Sequence, residues 1–256
     1  MKIEETNVKN AIEINEYGQP YINPYYGCSA GCPFCYWLSI KGWEGKIEVR
    51  LNIAERLEEY CLSMGEKKER VYIGSYCDPY MEEVEPQYGL TRECLKVLAK
   101  YNIPVTICTS ARSKIVLRDL DLFVQMKRLA VITELCRLDQ MDQLQKKKEH
   151  MGIAVANQLY ADGISVCATF APILPGIADV EEIREKLNPE ITIYVDKLYA
   201  EPGTIQEERV MELVEQKRPE LLAVYQEYLN GEHKELDTYV KKYIGNKNIR
   251  AFPIEE

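Results

Sequence analysis

The sequence predicts an α/β fold: a parallel sheet whose strands alternate with helices, followed by a C-terminal helical extension. Three observations carry this prediction. Short apolar runs rich in Val, Ile and aromatic residues alternate with longer amphipathic runs over residues 20–196. Turn-forming residues separate the runs, as Gly163 does after a long helical stretch. A chain of 256 residues, 46% hydrophobic and 29% charged, buries a sizeable core without covalent staples.

The elements follow in order. A strand spans Tyr21 to Tyr26 and a short buried one Val71 to Gly74. Leu90 to Lys100 reads as a helix, with Thr91 as N-cap and Leu95 and Leu98 on one face. Strand Ile103 to Cys108, helix Val116 to Lys127, strand Leu129 to Leu135 and helix Met141 to Ala161 come next. Strand Ile164 to Phe170, helix Val180 to Leu187 and strand Ile191 to Val195 complete the series. Repeated β-then-α order implies parallel strands with helices outside them. Six such units suit either an open doubly wound sheet or an incomplete barrel. In both, ligands sit at the C-terminal ends of the strands. Residues 1–200 carry this unit. Residues 201–256 form the extension, helical over Ile205 to Gly231 and Leu236 to Ile244, packed on it as a surface cover within a single domain.

Composition narrows the function classes. A net charge of −9 argues against broad, sequence-independent nucleic-acid binding, which depends on neutralising phosphates with Lys and Arg, although a local basic groove is compatible with it. Two histidines, His150 and His233, leave little material for histidine-based catalysis. No Gly-x-Gly fingerprint or Walker A loop is present. The most apolar stretch, Ile164 to Ala178, is too short to span a bilayer, and the charged start MKIEETNVKN has no signal-peptide core, so the expected location is the cytoplasm with no membrane partner.

Nine cysteines in a reducing compartment do not suggest a disulfide framework. Six are scattered and read as buried small hydrophobes. Cys28, Cys32 and Cys35 instead form Cys-x3-Cys-x2-Cys directly after the first strand. Three thiolates at this spacing grip three irons of a cubane cluster and leave the fourth iron open. Gly27 and Gly31 let the backbone wrap closely around it. A structural zinc site wants four closed ligands, and no second pair accompanies these three.

This motif resembles that of radical S-adenosylmethionine (radical SAM) enzymes, including an aromatic residue, Phe34, between the second and third cysteines. Asn23-Pro-Tyr-Tyr-Gly-Cys28, Gly74-Ser-Tyr-Cys-Asp-Pro-Tyr80, Leu90-Thr-Arg92, Val116-Leu-Arg-Asp-Leu-Asp121 and Ala171-Pro-Ile-Leu-Pro-Gly176 together resemble the spore-photoproduct-lyase-related branch, over residues 20–196. The resemblance implies a partial (βα)6 TIM-like barrel. It implies a [4Fe–4S] cluster on Cys28, Cys32 and Cys35 that binds S-adenosyl-L-methionine (SAM) through its open iron. One-electron cleavage of SAM would then give a 5′-deoxyadenosyl radical that abstracts hydrogen from a substrate. A small molecule or peptide is the expected substrate and a flavodoxin or ferredoxin the expected reductant. The alternatives are a DNA photoproduct lyase, against which the acidic charge speaks, a non-catalytic iron–sulfur electron carrier or sensor, and a zinc-binding structural protein.

The resemblance also assigns residues to SAM. Phe34 and Tyr36 flank Cys35 and would cover the adenine, or simply pack locally. Leu174, Gly176 and Asp179 fall where relatives contact the adenine, although Pro172 replaces their first glycine. Ser75 would bond the methionine amino group, and Asp78 lies beside it or serves as a turn residue before Pro79. Arg112 stands where relatives carry lysine and would pair with the SAM carboxylate as a fork. Glu134, within a predicted buried strand, needs a partner, which the ribose hydroxyls or a cationic substrate group would supply. Asp196 and Lys197 end the sixth strand, facing substrate or forming an exposed ion pair. Cys77 lies near the cysteine that photoproduct lyases use to return hydrogen to the product radical. Its alternative role is packing in a tight turn.

Overall fold

The computed structural model describes residues 1–15, 17–39, 45–65, 68–136, 150–177, 180–200, 202–230, 234–245 and 248–251. The chain forms two compact units. One comprises residues 1–30, 45–133 and 154–166, the other residues 31–44, 134–153 and 167–256.

The first unit contains, in chain order, β1 (Lys2–Thr6), β2 (Glu13–Ile14), β3 (Pro20–Ile22), β4 (Tyr25–Tyr26), β5 (Lys46–Arg50), α1 (Ile53–Ser63), β6 (Val71–Ile73), α2 (Glu85–Tyr88), α3 (Leu90–Lys100), β7 (Val105–Thr109), α4 (Leu120–Phe123) and β8 (Leu129–Glu134). Strands β3, β6, β7 and β8 pair in parallel in that order, and β2 runs antiparallel on the β3 edge. The register aligns Ile22, Ile73, Ile107 and Val131 in one row, all fully buried. In the alternate row, Tyr21, Tyr72 and Ala130 are half-buried and Thr106 of β7 is buried. This period-two alternation lets β3, β6 and β8 bury one face and leave the other partly open, whereas β7 is largely buried on both.

The expected strand Tyr21 to Tyr26 divides at Asn23 and Pro24 into β3 and β4. Proline has no N–H for a ladder, and β4 turns to pair antiparallel with β5, which in turn pairs in parallel with β1. Pattern reading passes over β5 because KIEVR offers only two apolar residues, Ile47 and Val49, both fully buried. It also passes over α1, which buries Ile53, Leu57 and Cys61 at a spacing of four. The expected helix Val116 to Lys127 is a 3-10 turn over Lys114–Asp119, capped by the Ser113 hydroxyl, running into α4. Helix α3 has the predicted bounds.

Helix α5 (Met151–Ala161) precedes the second unit's β9 (Val166–Phe170), α6 (Val180–Lys186), β10 (Ile193–Val195), α7 (Ile205–Lys217), α8 (Leu222–Leu229), α9 (Lys234–Tyr243) and β11 (Ile249–Ala251). The expected helical residues 141–149 lie outside the described ones. Strand β10 pairs in parallel with both β9 and β11, so the C-terminal extension supplies a strand as well as helices. The buried Arg184 closes α6 by donating to the carbonyls of Leu187, Asn188 and Ile191. This is an α/β fold of parallel strands, and no closed barrel occurs among the described residues.

Candidate metal and cofactor site

Cys28 follows β4 directly. Gly27 adopts φ +96°, and a Cβ there would sit 2.2 Å from the Lys46 carbonyl oxygen, so only glycine allows β4 and β5 to approach this closely. The Gly27 N–H donates to the Cys77 thiol at 3.3 Å, and the Ala30 N–H donates to the Cys28 thiol at 3.4 Å. In the second unit, the Cys35 N–H donates to the Cys32 carbonyl at 3.1 Å and starts a 3-10 turn over Tyr36–Ser39. Cys28, Cys32 and Cys35 are thiols outside any disulfide and are partly accessible. Their chemistry fits a three-thiolate iron–sulfur site. The described side chains are not gathered into a ready-made metal cage, since no group of three or more His, Cys, Asp and Glu among them is arranged to hold an ion.

Four of the six scattered cysteines contrast with these, whereas Cys108 and Cys167 are partly accessible rather than buried as expected. Cys61, Cys77, Cys94 and Cys136 are buried. Burial pushes the Cys61 and Cys167 thiols up to about 11 and those of Cys94 and Cys136 higher still. Such thiols stay protonated at neutral pH and unreactive. His150 is also structural. It is buried, its Nδ1 accepts from the Ile153 N–H at the start of α5, and its Nε2 lies 3.2 Å from the Leu135 carbonyl. His233 lies outside the described residues.

The loop after β6 carries Ser75, Cys77 and Asp78. Gly74 turns it at φ +81°, with the Cys108 carbonyl 2.4 Å from where a Cβ would stand. Ser75 is exposed. Asp78 is buried and accepts from the Tyr80 N–H at 3.0 Å, the Thr109 hydroxyl at 2.8 Å and the Ser110 hydroxyl, so its carboxylate ties the ends of β6 and β7 together. Arg112 donates to the Ser29 hydroxyl at 3.0 Å and reaches Glu83 at 3.4 Å, while Ser29 donates to Glu83 at 2.7 Å. The fork expected to meet a ligand carboxylate thus meets a side-chain carboxylate beside Cys28. Hydrogen bonds from Ser29, together with Arg112, hold the Glu83 carboxyl below its ordinary range against the opposing effect of burial.

Glu134 stands exposed at the end of β8, so burial imposes no need for a partner there. In the second unit, Leu174 is fully buried, whereas Gly176 is exposed at φ +72°. The loop holding them is braced by the extension. Tyr225 donates to the Pro175 carbonyl at 2.9 Å, Arg218 donates to the Gly176 carbonyl, and a Cβ on Gly176 would lie 2.5 Å from Leu221. Gln206 of α7 donates to the carbonyls of Phe34 and Tyr199. Helices expected only to cover the sheet therefore fix two of the segments assigned to SAM. Asp196 accepts the Lys197 N–H at 2.7 Å, and its carbonyl accepts the Ile173 N–H. Asp179 and the Tyr36 side chain fall outside the described residues.

Behind the first unit's loops lies a feature that local sequence reading passes over. Glu85 and Asp119 have no solvent exposure. Glu85 accepts from the Tyr25 hydroxyl at 2.5 Å, the Thr91 N–H at 3.0 Å and Arg118. Asp119 accepts from Tyr80 at 3.1 Å, Arg92 at 2.7 Å and Arg118 at 2.9 Å. Tyr25, Tyr80, Thr91, Arg92, Arg118 and Asp119 each belong to one of the motifs noted above. Glu85 carries no local signal beyond a glutamate at a helix start.

No protein-family profile matches the chain. MJ0683, an uncharacterized protein of Methanocaldococcus jannaschii, is 29% identical over 209 residues, 75% of this chain and 76% of that one. A mutant spore photoproduct lyase superposes with a TM-score of 0.65 at 13% identity, over 97% of this chain and 81% of that one. A second form of the lyase, with bound AdoMet and dinucleoside spore photoproduct, gives 0.59 at 13% over 85% and 66%. Streptococcus suis SuiB bound to its precursor peptide SuiA gives 0.56 at 16% over 92% and 48%. The chain thus spans about two thirds of the lyase in its AdoMet complex and about half of SuiB. These likenesses establish a shared fold.

Proposed function

We propose that this chain is a radical SAM enzyme that holds a [4Fe–4S] cluster on Cys28, Cys32 and Cys35 and binds SAM at its open iron. The observation that carries this reading is Cys-x3-Cys-x2-Cys at the end of a strand, in a fold shared with a lyase and with SuiB, each of which has been seen with SAM bound. When bound, cluster and SAM supply a one-electron reductive cleavage that yields a 5′-deoxyadenosyl radical. A flavodoxin or ferredoxin is the reductant of choice. The substrate is a small molecule or a peptide, the latter supported by the peptide seated on SuiB. Nine cysteines outside any disulfide support a reducing compartment such as the cytoplasm, and no helix among the described residues is long and apolar enough to cross a membrane. Anaerobically reconstituted protein is expected to hold about four irons per chain. Stoichiometric zinc without iron would overturn the reading.

The chain's own residues bind and orient. Arg112, paired with Glu83 and Ser29, exchanges Glu83 for the SAM carboxylate, and Ser75 takes the amino group. Arg112→Ala is expected to weaken SAM binding by roughly 1.5–3 kcal/mol, the range for a hydrogen bond to a charged group, with the cluster intact. Equilibrium binding to reconstituted protein measures this, and an unchanged affinity would place the carboxylate elsewhere. Leu174 and Gly176 line the adenine, with Phe34 beside them, and Glu134 faces the ribose or the substrate.

Cys77 is buried, and its sulfur accepts the Gly27 N–H, which favours packing over hydrogen donation. Cys77→Thr is expected to give the wild-type product, because a hydroxyl of similar size accepts the same N–H. Cys77→Ala is expected to give that product more slowly. Altered or trapped product from the alanine variant, seen by mass spectrometry, would instead make Cys77 the hydrogen donor.

A further inference from the structure

We propose that the buried Glu85–Asp119 network is a positioning device for the cysteine loop, acting through Tyr25 on one side and Tyr80 on the other to hold the Gly27 N–H against the Cys77 sulfur. What Cys28 holds rests on the proposed function; the positioning itself does not. Two carboxylates are taken wholly out of water here, and the guanidinium groups that neutralise them are half-buried. Burying such charges costs much of what their pairing returns, and apolar side chains of similar volume would serve stability at least as well. What a fully satisfied network supplies is one arrangement of the segments it joins.

The segments it joins are specific. Tyr25 lies two residues before Gly27 and three before Cys28. Its hydroxyl donates to Glu85 and accepts the Leu90 N–H at 3.3 Å, which fixes it between the starts of α2 and α3. Tyr80 lies three residues after Cys77 and donates to Asp119. Thr91 adds a hydrogen bond of 2.6 Å to the Pro79 carbonyl. Arg118 touches both carboxylates and makes the two arms one body. The contact between Gly27 and Cys77 therefore lies between two clamped ends. Burial, reinforced by the neighbouring carboxylates, raises both phenols well above their ordinary range, so they remain protonated donors.

Amide hydrogen exchange on the full-length protein without iron, resolved by residue, tests this. Tyr25→Phe keeps the buried ring and removes only the hydroxyl. It is expected to speed exchange at Gly27 at least tenfold, with amides of α3 from Leu95 to Lys100 staying within twofold of wild type. Tyr80→Phe, which cuts the other arm, is expected to give the same local signature. Unchanged Gly27 exchange in both variants, or an equal rise across α3, would overturn the proposal and leave the network a general stabiliser. After reconstitution, Tyr25→Phe is expected to retain about four irons while its affinity for SAM falls about fivefold. Wild-type protein that takes up no iron would defeat the functional reading, and Gly27 exchange would still decide the positioning claim.

Discussion

Cys32→Ala is expected to abolish iron uptake, from about four irons per chain to a trace, because a cubane held by only two protein thiolates is not retained. The variant should fold normally. Cys32 is partly accessible and packs no core, so its removal leaves no cavity of consequence. Cys94→Ala provides the contrast. That thiol is fully buried, and its loss is expected to cost stability while leaving iron content unchanged. Iron analysis and visible absorbance after anaerobic reconstitution measure both. Full iron in Cys32→Ala would remove it from the ligand set.

Asp119→Ala is expected to destabilise the first unit well beyond a surface change. The carboxylate is fully buried and faces Arg92, Arg118 and Tyr80, so its removal takes the acceptor from the buried Tyr80 hydroxyl and one of two carboxylates from each half-buried guanidinium. Leaving a buried polar group unsatisfied in this way costs about 1–3 kcal/mol. In a chain of this size that lowers Tm by roughly 2–12 °C. The exposed pair of Lys96 with Glu93 sets the baseline, since Lys96→Ala should cost less than about 1 kcal/mol. Equal losses in the two variants, by thermal or denaturant unfolding, would show that the network contributes no more than a surface pair.

Much of the architecture was legible because its signals are local. Helix α3 carries its own periodicity, and β7, β8 and β10 announce themselves as apolar runs. The pieces that were not legible depend on distant partners. Strand β5 is half charged and forms because β1 and β4 flank it. Strand β11 is three residues long and exists by pairing with β10. The proposed cysteine ligands rest on spacing alone, whereas the partners of Arg112 leave no local trace, since Ser29 and Glu83 lie 83 and 29 residues away from it. Glu134 ends an apolar run, a pattern that predicts burial, yet as the last residue of β8 it is exposed. The motifs Leu90–Arg92 and Val116–Asp121 stand out as local patterns, but Glu85, which carries no such pattern, is what joins them to Tyr25.

The most direct test of the central claim is formation of 5′-deoxyadenosine by the reconstituted wild-type protein, given SAM and a strong one-electron reductant under anaerobic conditions. A radical SAM enzyme is expected to release 5′-deoxyadenosine and methionine even without its substrate, and Cys32→Ala is expected to release none. A protein that holds a full complement of iron yet yields no 5′-deoxyadenosine would contradict the account and leave an iron–sulfur protein of another class.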